Sequence, residues 1–162
     1  MKQLTFLLKS ALLAGVFALA FAGCSKDDDD DFGLTGHWVF LGDANCIFTL
    51  DGVKHNAIEE GMLDRSYFSN LRGVFFIFED GGTAYVGMNG KTSSPAKYTV
   101  SGNTVTIKDG SFSLPMKYRV SGEKLELTWT EATMALLGID DSPLTGLGIY
   151  EYEAIMSFVK AD

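Results

Sequence analysis

Cys24 is the residue whose surroundings best fit a chemical modification. It follows the small residues Ala22 and Gly23, at the end of a 12-residue apolar stretch that begins at Ala11. This length suits the core of a signal peptide, because a membrane-spanning helix needs about 20 residues. Small side chains before a cysteine fit a peptidase active site, and a thiol can carry a thioether-linked diacylglycerol. We therefore expect residues 1–23 to be a signal peptide that is removed, and lipid to be attached to Cys24.

The residues on both sides of Cys24 resemble the signals of surface lipoproteins. The run Phe21-Ala22-Gly23-Cys24 resembles a lipobox, the motif that the lipoprotein peptidase reads. The run Cys24-Ser25-Lys26, with five aspartates after it (Asp27 to Asp31), is similar to the acidic export signal of Bacteroidetes lipoproteins. The resemblance implies a lipid-anchored protein of the outer membrane that faces the cell surface. The residues themselves leave two plainer interpretations open, an ordinary secretory peptide that contains a cysteine and a solvated acidic tether over residues 24–32.

The other reactive side chains do not form a recognisable catalytic or metal site. Cys46 is expected to be a buried, inert thiol, and His55 a solvated residue in a polar turn. The two histidines of the chain, His37 and His55, lack the spacing of zinc ligands. Three pairs of carboxylates could support acid–base chemistry on sugars: Glu59-Glu60, Asp140-Asp141 and Glu151/Glu153. Exposure on a solvated surface explains the two glutamate pairs better. We therefore predict no enzymatic activity, no metal site and no cofactor.

The charge of the chain argues against nucleic acid as a partner. Residues 1–23 contain two lysines and no acidic residue, so the 139 residues from Cys24 onward carry 11 basic and 21 acidic residues, a net charge of −10. Such a chain repels phosphates. The length suffices for one domain with one core, which we place at residues 33–162. Because Cys24 is expected to carry lipid, Cys46 has no partner for a disulfide within the chain.

From Gly33 onward the sequence is typical of short β-strands. Aromatic and β-branched residues alternate with polar ones, and turn sequences such as Asp51-Gly52 and Asn89-Gly90 lie between the runs. We predict nine strands: His37–Leu41, Cys46–Leu50, Val74–Glu79, Thr83–Met88, Ala96–Val100, Thr104–Lys108, Met116–Val120, Lys124–Thr130 and Tyr150–Val159.

An internal repeat indicates how the strands are arranged. The segment Tyr98–Ile107 matches Tyr118–Leu127 at an offset of 20 residues, and each copy reads as a hairpin with an apolar and a polar face. Two successive hairpins without a helix between them favour an antiparallel up-and-down meander. Because one face of each hairpin is apolar and the other polar, the sheet is expected to close into a small β-barrel around the apolar face. The fold class is therefore predicted to be all-β.

Two segments interrupt the β pattern. Apolar residues at near-helical spacing over Ala57–Leu71 predict a short helix or a structured loop, and Glu131–Leu137 reads as one or two helical turns that end at Gly138. The latter leads into a loop, Ile139–Gly148. Both insertions have apolar faces that need cover, so we expect them to cap a barrel end or to form a lid.

The motif Gly36-His37-Trp38, followed by a meander of short strands, resembles the lipocalin and wider calycin pattern. Together with Phe76-x-Phe78-x-Asp80-Gly-Gly-Thr83 it is similar to the lipocalin-like domains of Bacteroidetes lipoproteins, over roughly residues 34–159. The resemblance implies a lipocalin-like barrel in which Trp38 closes one end by packing. A smaller barrel that is filled by its own side chains is the alternative.

Two non-catalytic functions fit this sequence. The first is binding of a small apolar or amphipathic molecule, because barrel mouths often hold such sites. Its candidate contacts are the aromatic residues on presumed interior faces: Phe76, Phe78, Tyr85, Tyr98, Tyr118, Trp129 and Tyr152. The second is a protein-interaction or structural role in a cell-surface complex, with Leu144 and Leu147 as exposed anchors. Packing of the same aromatic residues into a solid core would favour the second function.

Overall fold

The computed structural model describes residues 33–137 and 139–162. The segment Asp31–Asp162 is a compact unit that contains every strand pairing and the whole described core, so it can be studied by itself. The predicted signal peptide, Cys24, the acidic tether and the helix end at Gly138 lie outside the described residues. Within the described ranges, no helix is long and apolar enough to cross a membrane.

Ten strands account for most of this unit. They are β1 (Gly36–Leu50), β2 (Val53–Asn56), β3 (Val74–Glu79), β4 (Thr83–Met88), β5 (Lys91–Thr92), β6 (Ala96–Ser101), β7 (Thr104–Asp109), β8 (Phe112–Ser121), β9 (Lys124–Thr130) and β10 (Tyr152–Ala161).

Eight of these strands form a closed antiparallel barrel. The neighbours run in the order β1-β3-β4-β6-β7-β8-β9-β10, and β10 pairs with β1 to close the ring. The two short strands β2 and β5 extend β1 and β4 outside the ring. Each ring strand lies beside the next one in sequence, so the predicted all-β meander that closes into a barrel is confirmed.

The first strand is longer than the sequence predicts. Instead of two strands there is one, β1, which pairs with β10 from His37 to Phe48 through a register shift between Phe40 and Asp43. Gly42 within this bulge has a φ of +100°, which disfavours other residues. A bulge adds a residue and bends a strand without ending its pairing. The predicted break at residues 42–45 is therefore a bend.

Other strand boundaries also differ from the prediction. β8 begins at Phe112 and includes Pro115. Pro115 has one neighbouring strand, because it pairs with Thr106 of β7 and the pairing of β8 with β9 begins at Lys117. A residue without an N–H group is tolerated where a strand has one neighbour. β10 begins at Tyr152 and not at Tyr150. The short strands β2 and β5 were not predicted because they are mostly polar and show no alternation.

The two insertions are structured. Residues 57–66 form turns, and a 3₁₀ helix follows at Tyr67–Leu71, so the first insertion is mainly a structured loop. The second contains α1 (Glu131–Leu136), whose first turn is capped by the Thr130 hydroxyl, and a short helix, α2 (Ser142–Thr145), where a loop was predicted. Leu144 in α2 is fully buried, so its predicted role as an exposed anchor is wrong, whereas Leu147 is exposed.

One barrel end is closed by packed side chains. Trp38, near the beginning of β1, is fully buried, and its Nε1 donates a hydrogen bond of 2.6 Å to the carbonyl oxygen of Leu34. Lys160, near the end of β10, lies 5.6 Å from the Trp38 ring. The inward faces of the repeated hairpins, including Ile107 and Leu127, are buried as predicted. Leu34, Trp38 and Phe78 are at most 1% exposed at this end, where β1 and β9 begin.

Candidate functional site

A cavity of about 720 Å³ occupies the other end of the barrel, where β3 begins and where β4 and β9 end. This volume lies within the range of small-molecule sites, about 300–1,000 Å³. The side chains that line it are mainly apolar: Phe68, Leu71, Val74, Phe76, Val86, Met88, Trp129, Leu137, Ile139 and Pro143. Its polar lining comes from Tyr67, Asn70 and Asp140.

The two insertions meet over this cavity. The Tyr67 hydroxyl, at the beginning of the 3₁₀ helix, donates a hydrogen bond of 2.7 Å to the backbone carbonyl of Asp140 in the second insertion. The Tyr67 ring packs edge-on against Phe68, with centroids 4.6 Å apart. The expectation that the insertions cap a barrel end is confirmed.

Acidic and phenolic groups lie together beside the cavity. The Tyr152 hydroxyl donates a hydrogen bond of 3.3 Å to Oδ2 of Asp141. Burial, with the nearby carboxylates of Asp141 and Asp140, raises the pKa of Tyr67 to about 12. Burial and Asp141 likewise raise the pKa of Tyr152. Both phenols therefore remain neutral hydrogen-bond donors at physiological pH.

Trp129 supplies a buried polar atom that no described residue satisfies. Its side chain is 1% exposed, and its Nε1 has no hydrogen-bond acceptor in the part of the chain that the structure describes. Most buried polar groups in proteins are paired, so an orphaned indole N–H in a cavity wall is unusual. The indole N–H is therefore an unsatisfied donor within the packed wall.

The structure separates the seven aromatic candidates into three groups. Phe76 and Trp129 line the cavity. Four others pack in or against the core: Phe78, Tyr98, Tyr118 and Tyr152. Tyr85 does not face the interior, because it pairs with Ile77 while the buried Phe76 and Phe78 pair with Val86 and Ala84. Its placement inside the barrel was wrong, since neighbouring residues of a strand face opposite sides.

Several lining residues were not singled out as contacts from the sequence. Phe68, Leu71 and Ile139 belong to the insertions whose apolar faces were noted, so a signal for them was present. The strand-end residues Val74 and Met88 carried no such signal, because their position at the cavity depends on the barrel register.

The remaining reactive residues lie in ordinary surroundings. Cys46 is a free thiol that is fully buried, as predicted, and burial raises its pKa to about 11. His55 is half-buried and keeps 27% of its side chain exposed to solvent, while its Nδ1 lies 3.1 Å from the carboxylate of Glu60 and its ring stacks on Phe48. Glu153 pairs with Lys117 at 2.7 Å. Across residues 33–137 and 139–162, no group of three His, Cys, Asp or Glu side chains could hold a metal ion.

No protein-family model, curated protein or solved structure matches this chain at a significant level. The cavity and the groups that line it are therefore the features that indicate a function.

Proposed function

We propose that this protein is a lipid-anchored, surface-exposed lipoprotein of the bacterial outer membrane whose barrel binds a small apolar or amphipathic molecule without catalysis. The observation that carries the proposal is the cavity of about 720 Å³ with its mainly apolar lining. Burial of apolar ligand surface in such a site is favourable by about 25 cal/mol per Å² before the costs of association.

The contrast between the two barrel ends supports a binding role. At the end that Trp38 closes, Leu34, Trp38 and Phe78 are almost completely buried. The other end leaves space under two insertions, and the Tyr67–Asp140 hydrogen bond holds these insertions together. A protein that served only as a structural scaffold would gain stability by filling this space.

The anchored location is proposed from the sequence alone. Cys24 and the aspartates at 27–31 have the order of a lipid attachment site and an acidic export signal. An apolar ligand that leaves a membrane would meet a barrel tethered at that membrane. Protease treatment of intact cells tests the orientation, since a surface protein is digested and a periplasmic one survives.

Ligand binding can be tested on residues 31–162, which lack the anchor and need no detergent. Native mass spectrometry after gentle purification should show a bound apolar molecule, and Nile red should gain fluorescence in the presence of the protein. Absence of both signals would contradict the binding function and favour a role in protein interaction.

A cavity-filling variant with a matched control locates the bound probe. Val86→Phe places a larger side chain in the cavity wall, and we expect Nile red affinity to fall about tenfold, which corresponds to about 1.4 kcal/mol. Val159→Phe makes the same change at a 39% exposed position of β10. Its affinity for Nile red should stay within about twofold of that of the unsubstituted protein, a smaller change than the tenfold loss expected for Val86→Phe. Equal effects of the two variants would place the probe elsewhere.

A further inference from the structure

A second cleft, of about 580 Å³, lies between β1 and the first insertion, and it shares no lining residue with the cavity. Its lining is mainly polar, and its volume lies within the range of small-molecule sites. One wall consists of five consecutive residues of β1, Leu41 to Asn45. Arg65 of the insertion and Arg72, which follows the insertion directly, also line the cleft.

The wall that β1 provides is an unpaired strand edge. On this side β1 pairs with β3 before the segment Leu41–Asn45 and with β2 after it. The N–H group of Gly73 donates to the carbonyl oxygen of Phe40 at one limit of the segment. The N–H group of Ala57 donates to the carbonyl oxygen of Cys46 at the other limit. Between these limits the described insertion makes no backbone hydrogen bond to β1, so the segment presents free backbone groups to the cleft, as an edge strand does.

The two arginines bring positive charge to the cleft that no described residue neutralises. Neither Arg65 nor Arg72 forms an ion pair or a side-chain hydrogen bond within the described ranges. The other arginine of the chain, Arg119, lies 2.7 Å from the carboxylate of Glu126. Two arginines without an acidic partner are notable in a chain whose net charge is −8, because acidic residues are plentiful.

The backbone at the β1 bulge holds the guanidinium group of Arg72 against the cleft. A Cβ atom at Gly42 would lie 2.5 Å from Nε and 3.3 Å from Cζ of Arg72. Gly42 lines the cleft, so the absence of a side chain at this position gives the guanidinium group its place beside the strand edge. The group is exposed and therefore accessible to a ligand.

The acidic residues of the lining do not cancel this positive charge. Oδ2 of Asp43 lies 4.0 Å from Nζ of Lys124, which offsets its charge. Glu59 is then the remaining carboxylate against two guanidinium groups. The cleft therefore favours an anionic group, and the planar guanidinium matches a carboxylate through two parallel hydrogen bonds.

We propose that this cleft binds a short extended peptide through its free terminal carboxylate. Arg65 and Arg72 bind the carboxylate, and the backbone of the peptide pairs with the edge Leu41–Asn45 as an added strand. At about 3.3 Å per residue the edge spans roughly 16 Å, enough for a peptide of three residues. This binding function is separate from that of the cavity and does not depend on it.

Four probes test the proposal by nuclear magnetic resonance titration of residues 31–162 at neutral pH. They are trialanine, trialanine amide, in which a neutral amide replaces the carboxylate, trialanine methylated at its central peptide nitrogen, and inorganic phosphate. Trialanine should shift the backbone amide signals of Leu41–Asn45. We expect trialanine amide to bind about tenfold more weakly, because it loses charge-assisted hydrogen bonds. The methylated peptide should bind about threefold to tenfold more weakly, because it loses one backbone donor.

Substitution of one arginine, with a matched control, tests the source of the preference for a carboxylate. Arg72→Gln removes a guanidinium group from the cleft, and the preference for trialanine over its amide should fall to within about threefold. Arg119→Gln makes the same change in net charge outside the cleft and should keep the tenfold preference. Each comparison uses two ligands on one protein, so a general change in affinity does not affect it.

Each result supports the proposal or overturns it. If trialanine leaves the amide signals of Leu41–Asn45 unchanged, the cleft is not a peptide site. Equal affinity for trialanine and its amide overturns the role of the arginines. Equal affinity for the methylated peptide, or tighter binding of phosphate than of trialanine, overturns strand pairing. Displacement of Nile red by trialanine would place the peptide in the cavity, whereas failure of Nile red itself to bind would refute only the function proposed for the cavity.

Discussion

The buried thiol of Cys46 should make the barrel less stable at alkaline pH. Burial raises its pKa from the ordinary value of 9.0 to about 11, and the side chain is fully buried. The folded protein therefore resists ionisation that the unfolded chain undergoes freely. Its stabilising effect is complete below pH 9, declines as the pH rises from 9 towards 11, and is lost above that value.

The magnitude follows from the size of the pKa difference. Each unit corresponds to 1.36 kcal/mol, so a difference of about two units gives about 2.7 kcal/mol when the decline is complete. At pH 10 the unfolded thiol is mostly ionised and the folded one is mostly neutral, so the loss there is about 1.4 kcal/mol. A change of this size is measurable, because whole domains are stable by only about 5–15 kcal/mol.

Urea denaturation of residues 31–162 at pH 8 and pH 10 provides the measurement, with a phosphine reductant present and circular dichroism as the signal. Cys46→Val, which has a similar volume and no ionisable group, is the control. Both proteins contain Tyr67 and Tyr152, and Cys46 is the smallest of the causes that raise the pKa values of these tyrosines, so their titration affects the two proteins nearly alike. The free energy of unfolding of the unsubstituted protein should fall by about 1.4 kcal/mol more than that of Cys46→Val. An identical pH dependence of the two proteins would refute the reasoning.

Three further predictions concern the insertions, the barrel wall and the anchor. Tyr67→Phe removes the hydrogen bond to the Asp140 carbonyl and should lower the free energy of unfolding by about 0.5–1 kcal/mol. The control Tyr150→Phe, at a 65% exposed position, should leave it unchanged. Equal urea midpoints of the two variants would contradict a stabilising role of this hydrogen bond. Gly87→Ala should lower the free energy of unfolding by about 1–3 kcal/mol, because the added Cβ would lie 2.5 Å from the backbone oxygen of Lys91. An unchanged urea midpoint would be inconsistent with this packing. Cys24→Ala should abolish metabolic labelling with an alkynyl fatty acid, and persistent labelling would disprove attachment at that residue.

Local sequence patterns were sufficient to predict most of the barrel strands. Strands β3, β4 and β9 have the predicted bounds, because polar and apolar side chains alternate in β9, β3 and β4 are rich in aromatic and β-branched residues, and turn residues end β3 and β4. The burial of Cys46 was also predicted, since an apolar strand surrounds it. These features depend on neighbours along the chain, which the sequence displays directly.

Tertiary contacts decided the features that depend on distant residues. The continuity of β1 through its bulge requires β10 as a partner, more than a hundred residues later in the chain. Tyr85 was placed on the wrong face because its orientation depends on the register with β3, and Leu144 was judged exposed because the packing that buries it is not local.

The candidate site shows the same division. The sequence determined an all-β barrel with two apolar insertions, and Phe76 and Trp129 were among its seven aromatic candidates. The closure of the ring, the meeting of Tyr67 with Asp140 and the orphaned Nε1 of Trp129 were decided only by the tertiary structure. A cavity is space that remains when distant segments pack, and no local pattern encodes its size. The physical reason is that hydrogen-bond satisfaction and packing are properties of the assembled barrel, whereas alternation is a property of each strand.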